Sequence, residues 1–153
     1  MPQDPGFDIG KAHGYFSVDC FNKAWDLIEK PNRTPEEDEH MTRLSQASIW
    51  HWTQRADCKS TNLSIGYWQA SRICAILGRA DDARRYAQLC LRHSKDEAPF
   101  FLAYAYEALA RAEQVAGNGP QAAKYRAEAV QLTEAVTDDE ERKMLVDDLE
   151  TIK

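Results

Sequence analysis

His51, set between Trp50 and Trp52, and His40 earlier in the chain are the residues whose types first suggest chemistry. Imidazole titrates near neutrality and is a common metal ligand. The two histidines stand eleven positions apart, on one face of a helix but roughly 16 Å distant at 1.5 Å per residue, too far to share an ion. No metal and no cofactor is therefore expected. The Trp50-His51-Trp52 cluster, with Trp25 upstream, reads in two ways. The rings fill a core, or they wall a small-molecule pocket in which His51 titrates.

The four cysteines, Cys20, Cys58, Cys74 and Cys90, form no CxxC pair and have no histidine at zinc-finger spacing. Free, buried thiols in a reducing compartment are expected. The chain has no glycine-framed serine and no glycine-rich phosphate loop, so no catalytic residue is nominated, although helical bundles can host sites between helices. Arg84, Arg85 and Arg92, with Arg79 nearby, make a basic stripe suited to RNA or an acidic protein. Asp81 and Asp82 stand one turn before it and offset part of the charge, so a solvated face is expected.

The 153 residues are 43% apolar and 29% charged with a net charge of −6, the profile of one soluble domain without a phosphate-binding face. Met1–Gly10 carries prolines, glycines and acids rather than a basic start and an apolar run. The uncharged stretch 98–106 is far short of the ~20 apolar residues of a bilayer span. Nucleic-acid and membrane partners are not expected, and the expected location is cytoplasmic.

Helix signals recur along the whole chain. Periodicity from Tyr15 to Ile28 puts Cys20, Phe21, Ala24, Leu27 and Ile28 on one face, and Lys30-Pro31-Asn32 stops it. Thr34-Pro35-Glu36-Glu37 is a capping-box start for a second helix carrying Met41, Leu44, Ala47, Ile49 and Trp52. The polar residues 59–62 separate it from a third helix ending at Leu77-Gly78. A fourth spans about Ala80 to His93. Ala98-Pro99 opens a fifth, apolar or small on most sides and so expected at the centre. Gly117-Asn118-Gly119-Pro120 turns into a sixth, and the capping box at Thr137-Asp138-Asp139-Glu140 opens a seventh with the stripe Leu145, Leu149, Ile152. The class is all-α, a stack of about seven helices.

Displaced by 39 residues, the chain superposes Tyr67 on Tyr106, Arg72 on Arg111, Gly78 on Gly117, Ala83 on Ala122 and Tyr86 on Tyr125. Ser71 meets Ala110 and Cys90 meets Ala129. The glycines fall where a helix-ending left-handed residue is wanted, and the small residues where helices approach closely. On these residues, segment 64–136 resembles two tetratricopeptide repeats. The spacing of 39 rather than 34 departs from that family, as do Ala80 and Gly119 at aromatic positions and Lys95 and Glu134 at the closing proline. The resemblance implies a right-handed α-α superhelix of stacked antiparallel hairpins in a single domain. Its units are 64–94 and 98–136, with an arm over 1–14, a diverged first hairpin over 15–58 and a capping helix over 138–153.

The resemblance also implies a concave groove lined by Ile65, Trp68 and Arg72 in one unit and Tyr104, Glu107 and Arg111 in the next. The Lys and Asn set with which some members grip a carboxylate is absent. An aromatic flanked by arginines suits a peptide or partner helix with an acidic group and an apolar anchor. Alternatively, Trp68 packs on a neighbouring helix and Glu107 pairs with Arg111 one turn away. The groove reading expects alanine at both Arg72 and Arg111 to weaken capture with little loss of stability. The leading function is a non-catalytic interaction module, an adaptor or scaffold. The alternatives are a small-molecule sensor or enzyme using the N-terminal aromatic half, and a self-associating structural subunit.

Overall fold

The computed structural model describes all residues, 1–153. Seven helices account for its regular structure and there is no strand: α1 Ile9–Glu29, α2 Pro35–Thr53, α3 Ser60–Ile76, α4 Ala80–Ser94, α5 Pro99–Val115, α6 Gly119–Thr133 and α7 Asp139–Glu150. No helix is long and apolar enough to cross a membrane. The chain forms two compact units, Met1–Lys59 and Ser60–Lys153.

In residues 1–59, α1 begins six positions before the apolar periodicity does, because Asp8 caps it by accepting the Lys11 N–H at 3.0 Å. A side-chain cap satisfies an orphan donor of the first turn and can start a helix where no stripe yet exists. The helix stops at Glu29, and Asn32 turns the chain with a left-handed φ of 57°. Arg33 closes the turn: its guanidinium donates to the carbonyls of Leu27, Ile28 and Lys30, and its Nε holds Asp38 at 2.8 Å. The expected capping box is formed, with Glu37 N–H to Thr34 Oγ1 at 3.2 Å and Thr34 N–H to Glu37 Oε2 at 3.0 Å. Ser17, Cys20 and Ala24 of α1 and Met41, Ser45, Ser48 and Ile49 of α2 are buried in the hairpin.

In residues 60–153, α3 pairs with α4 and α5 with α6, while α5 also lies against α3, α4 and α7. The central place expected for the fifth helix is therefore occupied. Its alanines 103, 105, 108, 110 and 112 are all buried, letting neighbours approach on several sides. The internal similarity is a repeat of contacts as well as of letters. Gly78 and Gly117 end α3 and α5 at φ 72° and 78°. The N–H groups of Arg79 and Asn118 then reach back to the carbonyls of Cys74 and Glu113 at 2.8 and 2.9 Å. This is the Schellman closure, and its left-handed residue costs roughly 1–2 kcal/mol with a side chain. Tyr67 lies 6.2 Å from Tyr86 between ring centres, and their counterparts Tyr106 and Tyr125 lie 6.1 Å apart. Ala83 and Cys90 are buried on α4, as Ala122 and Ala129 are on α6.

Two local readings are corrected. Residues 60–62 are the first turn of α3 and not a separator, which leaves only 54–59 between α2 and α3. The cap of α7 is Asp138 rather than Thr137, its carboxylate accepting from Glu141 N–H at 2.9 Å. The stripe of Leu145, Leu149 and Ile152 is buried as its spacing predicts.

Candidate functional site

Glu107 is the focus of residues 60–153. It lies on the central helix α5 with no exposed surface. A carboxylate in such a place stays charged only if donors replace its water. Trp68 of α3 donates its indole N–H to Oε2 at 2.8 Å. Arg111, one turn further along α5, places Nε at 2.8 Å and Nη2 at 2.7 Å from Oε1. Arg72 of α3 adds Nη1 at 3.3 Å to the same oxygen. The Tyr104 ring stands edge-on to Trp68, 5.3 Å between centres, and its hydroxyl donates to Asp148 of α7 at 2.8 Å. Five of the six positions taken from the repeat resemblance thus form one connected cluster. Ile65 stands outside it, 39% exposed on α3. Trp68 packing on a neighbouring helix and Glu107 pairing with Arg111 are both seen.

The two arginines differ. Arg111 also reaches α7 and its end through the same Nη2, which lies 3.0 Å from the Asp148 carbonyl and 2.7 Å from Thr151 Oγ1. Arg72, whose side chain is 19% exposed, makes only the one long bond to Glu107. Burial, then the neighbouring Arg111 charge, holds the Arg72 guanidinium below its ordinary pKa. Burial and the bond to Asp148 push the Tyr104 phenol well above its usual range. Loss of Arg111 would leave Glu107 buried and short of its strongest partner, a defect that typically costs about 3–5 kcal/mol. The expectation that both arginines can be removed with little loss of stability is revised accordingly.

The stripe on α4 is partly neutralised by Asp81 and Asp82, as expected, but its main partner was not foreseen. Arg84 clasps the buried Glu113 of α5 through Nε at 2.7 Å and Nη2 at 3.2 Å, and Nη1 meets Asp81 at 3.0 Å. With Asn118 also donating at 3.1 Å, Arg84 holds the Glu113 carboxyl below the usual carboxylate range. Arg85 reaches Asp82 at 3.5 Å and covers the Tyr86 ring. No sequence signal joins residues 84 and 113, because they meet only through helix packing.

In residues 1–59 a histidine that sequence reading passed over completes the aromatic cluster. His13 Nδ1 lies 2.8 Å from His51 Nδ1. The Trp50 ring is centred 5.3 Å from His13 and 4.9 Å from His51, and Phe16 lies 5.5 Å from His51. Burial, then the approach of His13, keeps the His51 imidazole below its ordinary pKa of 6.5. Trp50 itself is 55% exposed, so the reading of the whole cluster as core is corrected: Trp25 and Trp52 are half-buried, and Arg55 covers Trp52 at 4.0 Å. Adjacent helical residues are rotated by about 100°, which separates Trp50 from Trp52 by about 200° and prevents both facing one core. His40 is exposed. No three His, Cys, Asp or Glu side chains converge in the manner of a metal site.

All four thiols are free, with Cys20, Cys74 and Cys90 buried and Cys58 half-buried. Burial pushes Cys90 up to about 11 against the bonds from Ser64 and Ser94, leaving an unreactive thiol. No family model matches the chain, and neither a curated protein nor a solved structure does.

Proposed function

We propose that the chain is a non-catalytic interaction module, a tetratricopeptide-like stack of hairpins in a right-handed superhelix, that takes a peptide or partner helix along α3 and α5. The observation that supports this reading is the inequality of the two arginines. Arg111 spends Nε and Nη2 on Glu107, the Asp148 carbonyl and Thr151, whereas Arg72 makes a single bond, from Nη1 to Glu107. Ile65 lies seven residues earlier on α3, two turns along the same face, and is exposed. A partner with an acidic side chain and an apolar residue two turns away complements that pair, since a guanidinium holds a carboxylate with two parallel bonds. Glu107, itself held by the Trp68 indole, positions Arg72 beforehand, lowering the ordering cost of capture. The free thiols favour a cytoplasmic setting.

The test is affinity capture from native extract with the unaltered protein, Arg72→Gln and Ile65→Asp, each checked by thermal melting. Both variants are expected to stay folded and to lose the same captured protein. Unchanged capture by both folded variants would remove α3 from consideration and, with it, this reading.

A further inference from the structure

We propose that the contact between His13 and His51 is an acid-sensitive latch holding the start of α1 to the end of α2. The two Nδ1 atoms are 2.8 Å apart and the ring centres 5.1 Å. The difference between these lengths is twice the distance from an imidazole's centre to its nitrogen. Both nitrogens therefore lie on the line joining the rings, the arrangement of an N–H directed at a lone pair. Two ligands of a shared metal would instead aim at a third point beside that line.

Such a bond requires one ring to carry hydrogen on Nδ1 and the other to offer a lone pair there. The pair accommodates one added proton on the donor ring's far nitrogen. A second converts the acceptor into a donor, and two imidazolium rings at hydrogen-bond distance repel. Little nearby relieves that repulsion. The positions one turn away are Ile9, Gly10, Phe16 and Ser17 on α1, and Ala47, Ser48, Gln54 and Arg55 on and just after α2. Only Arg55 among them is charged, and it is a cation. Its Nη1 donates to Ser17 Oγ at 2.9 Å while Asp57 engages Nε and Nη2 at 2.8 and 2.7 Å. Asp8 is occupied in capping α1.

The seam beside the latch is lined by small hydroxyl side chains. Ser48 Oγ donates to the Ser17 carbonyl at 2.7 Å, and Ser45 Oγ is buried with no partner. Small hydroxyl side chains bury little apolar area, so opening this end forfeits little hydrophobic stabilisation. Depressed protonation of His51 by burial and by His13 agrees with the geometry. Acidification then separates the first turns of α1 from the end of α2 and uncovers more of the Phe16 and Trp50 rings, which are already partly exposed.

The test is a pH titration of the full chain by NMR, following the histidine ring nitrogens together with amide exchange over residues 9–17 and 47–55. Two separate ring titrations are expected, the lower one below 6.5 and accompanied by a loss of amide protection in both segments of about tenfold or more. His13→Gln and His51→Phe, which each leave one titrating ring, are expected to abolish that acid step while keeping helix content. Simultaneous titration of both rings without a change in exchange overturns the proposal. Persistence of the acid step in whichever variant folds does so equally.

Discussion

In residues 1–59 the seam between α1 and α2 sets Ser17, Ser45 and Ser48 beside Ala24, Met41 and Ile49, whereas in residues 60–153 alanines, Ser64, Ser71 and Ser94 line seams around a buried carboxylate, Glu107. The second region buries the costlier group and satisfies it better. Glu107 receives donors from Trp68, Arg72 and Arg111, while Ser45 Oγ receives none. Helix number explains the contrast. Within its own unit a two-helix hairpin offers a seam atom partners from two helices, whereas α5 is approached by α3, α4, α6 and α7. A buried charge is tolerable where several elements converge, because each contributes a donor from its own direction.

Arg111→Ala is the hardest test of that contrast. It is expected to lower stability by about 3–5 kcal/mol in urea unfolding followed by circular dichroism, because Glu107 is left buried and under-partnered. A loss below about 1 kcal/mol would show that the carboxylate finds water or accepts a proton, and the contrast would fail.

A pair of equal deletions sharpens it. Ser71 Oγ in the second region donates to the Ala83 carbonyl at 2.8 Å, whereas Ser45 Oγ in the first has no acceptor. Ser71→Ala is expected to cost about 0.5–1.5 kcal/mol, and Ser45→Ala to be neutral or stabilising, on the same unfolding assay. Equal losses at both positions would mean that the two seams treat hydroxyls alike.

The smallest effect near neutrality is one of pH. Arg84 depresses the Glu113 pKa in the folded protein, so as pH falls the unfolded chain binds the proton first. The stabilisation is complete above the ordinary value of 4.5 and is lost as pH drops through the lower folded one. Thermal melts of the unaltered protein and Glu113→Gln between neutral and strongly acid pH should converge below 4.5. The depressed His51 value has the same sign, so residues 1–59 should weaken earlier, below 6.5.

Much of the architecture is readable without coordinates because it rests on chemistry between near neighbours. Thr34 and Glu37 are three residues apart and close their capping box as the sequence implies. Gly78 and Gly117 mark helix ends that need a left-handed residue, and α5 is central because small and apolar residues occupy most of its sides. Ile9-Gly10-Lys11 shows no stripe, so the helix begun by Asp8 escapes a search for periodicity, and His13 escapes with it. Trp50 and Trp52 are neighbours in sequence, but helical rotation sets them on different faces.

The polar partnerships were a different matter. Arg84 with Glu113, Trp68 with Glu107 and His13 with His51 join residues 29, 39 and 38 positions apart. Turns, caps and helical faces follow from interactions within about one turn of chain, which the order of side chains already contains. Which donor meets which acceptor across a seam depends on how far one helix is slid and rotated against another. That register comes from the packing of whole faces, and no short window of sequence carries it.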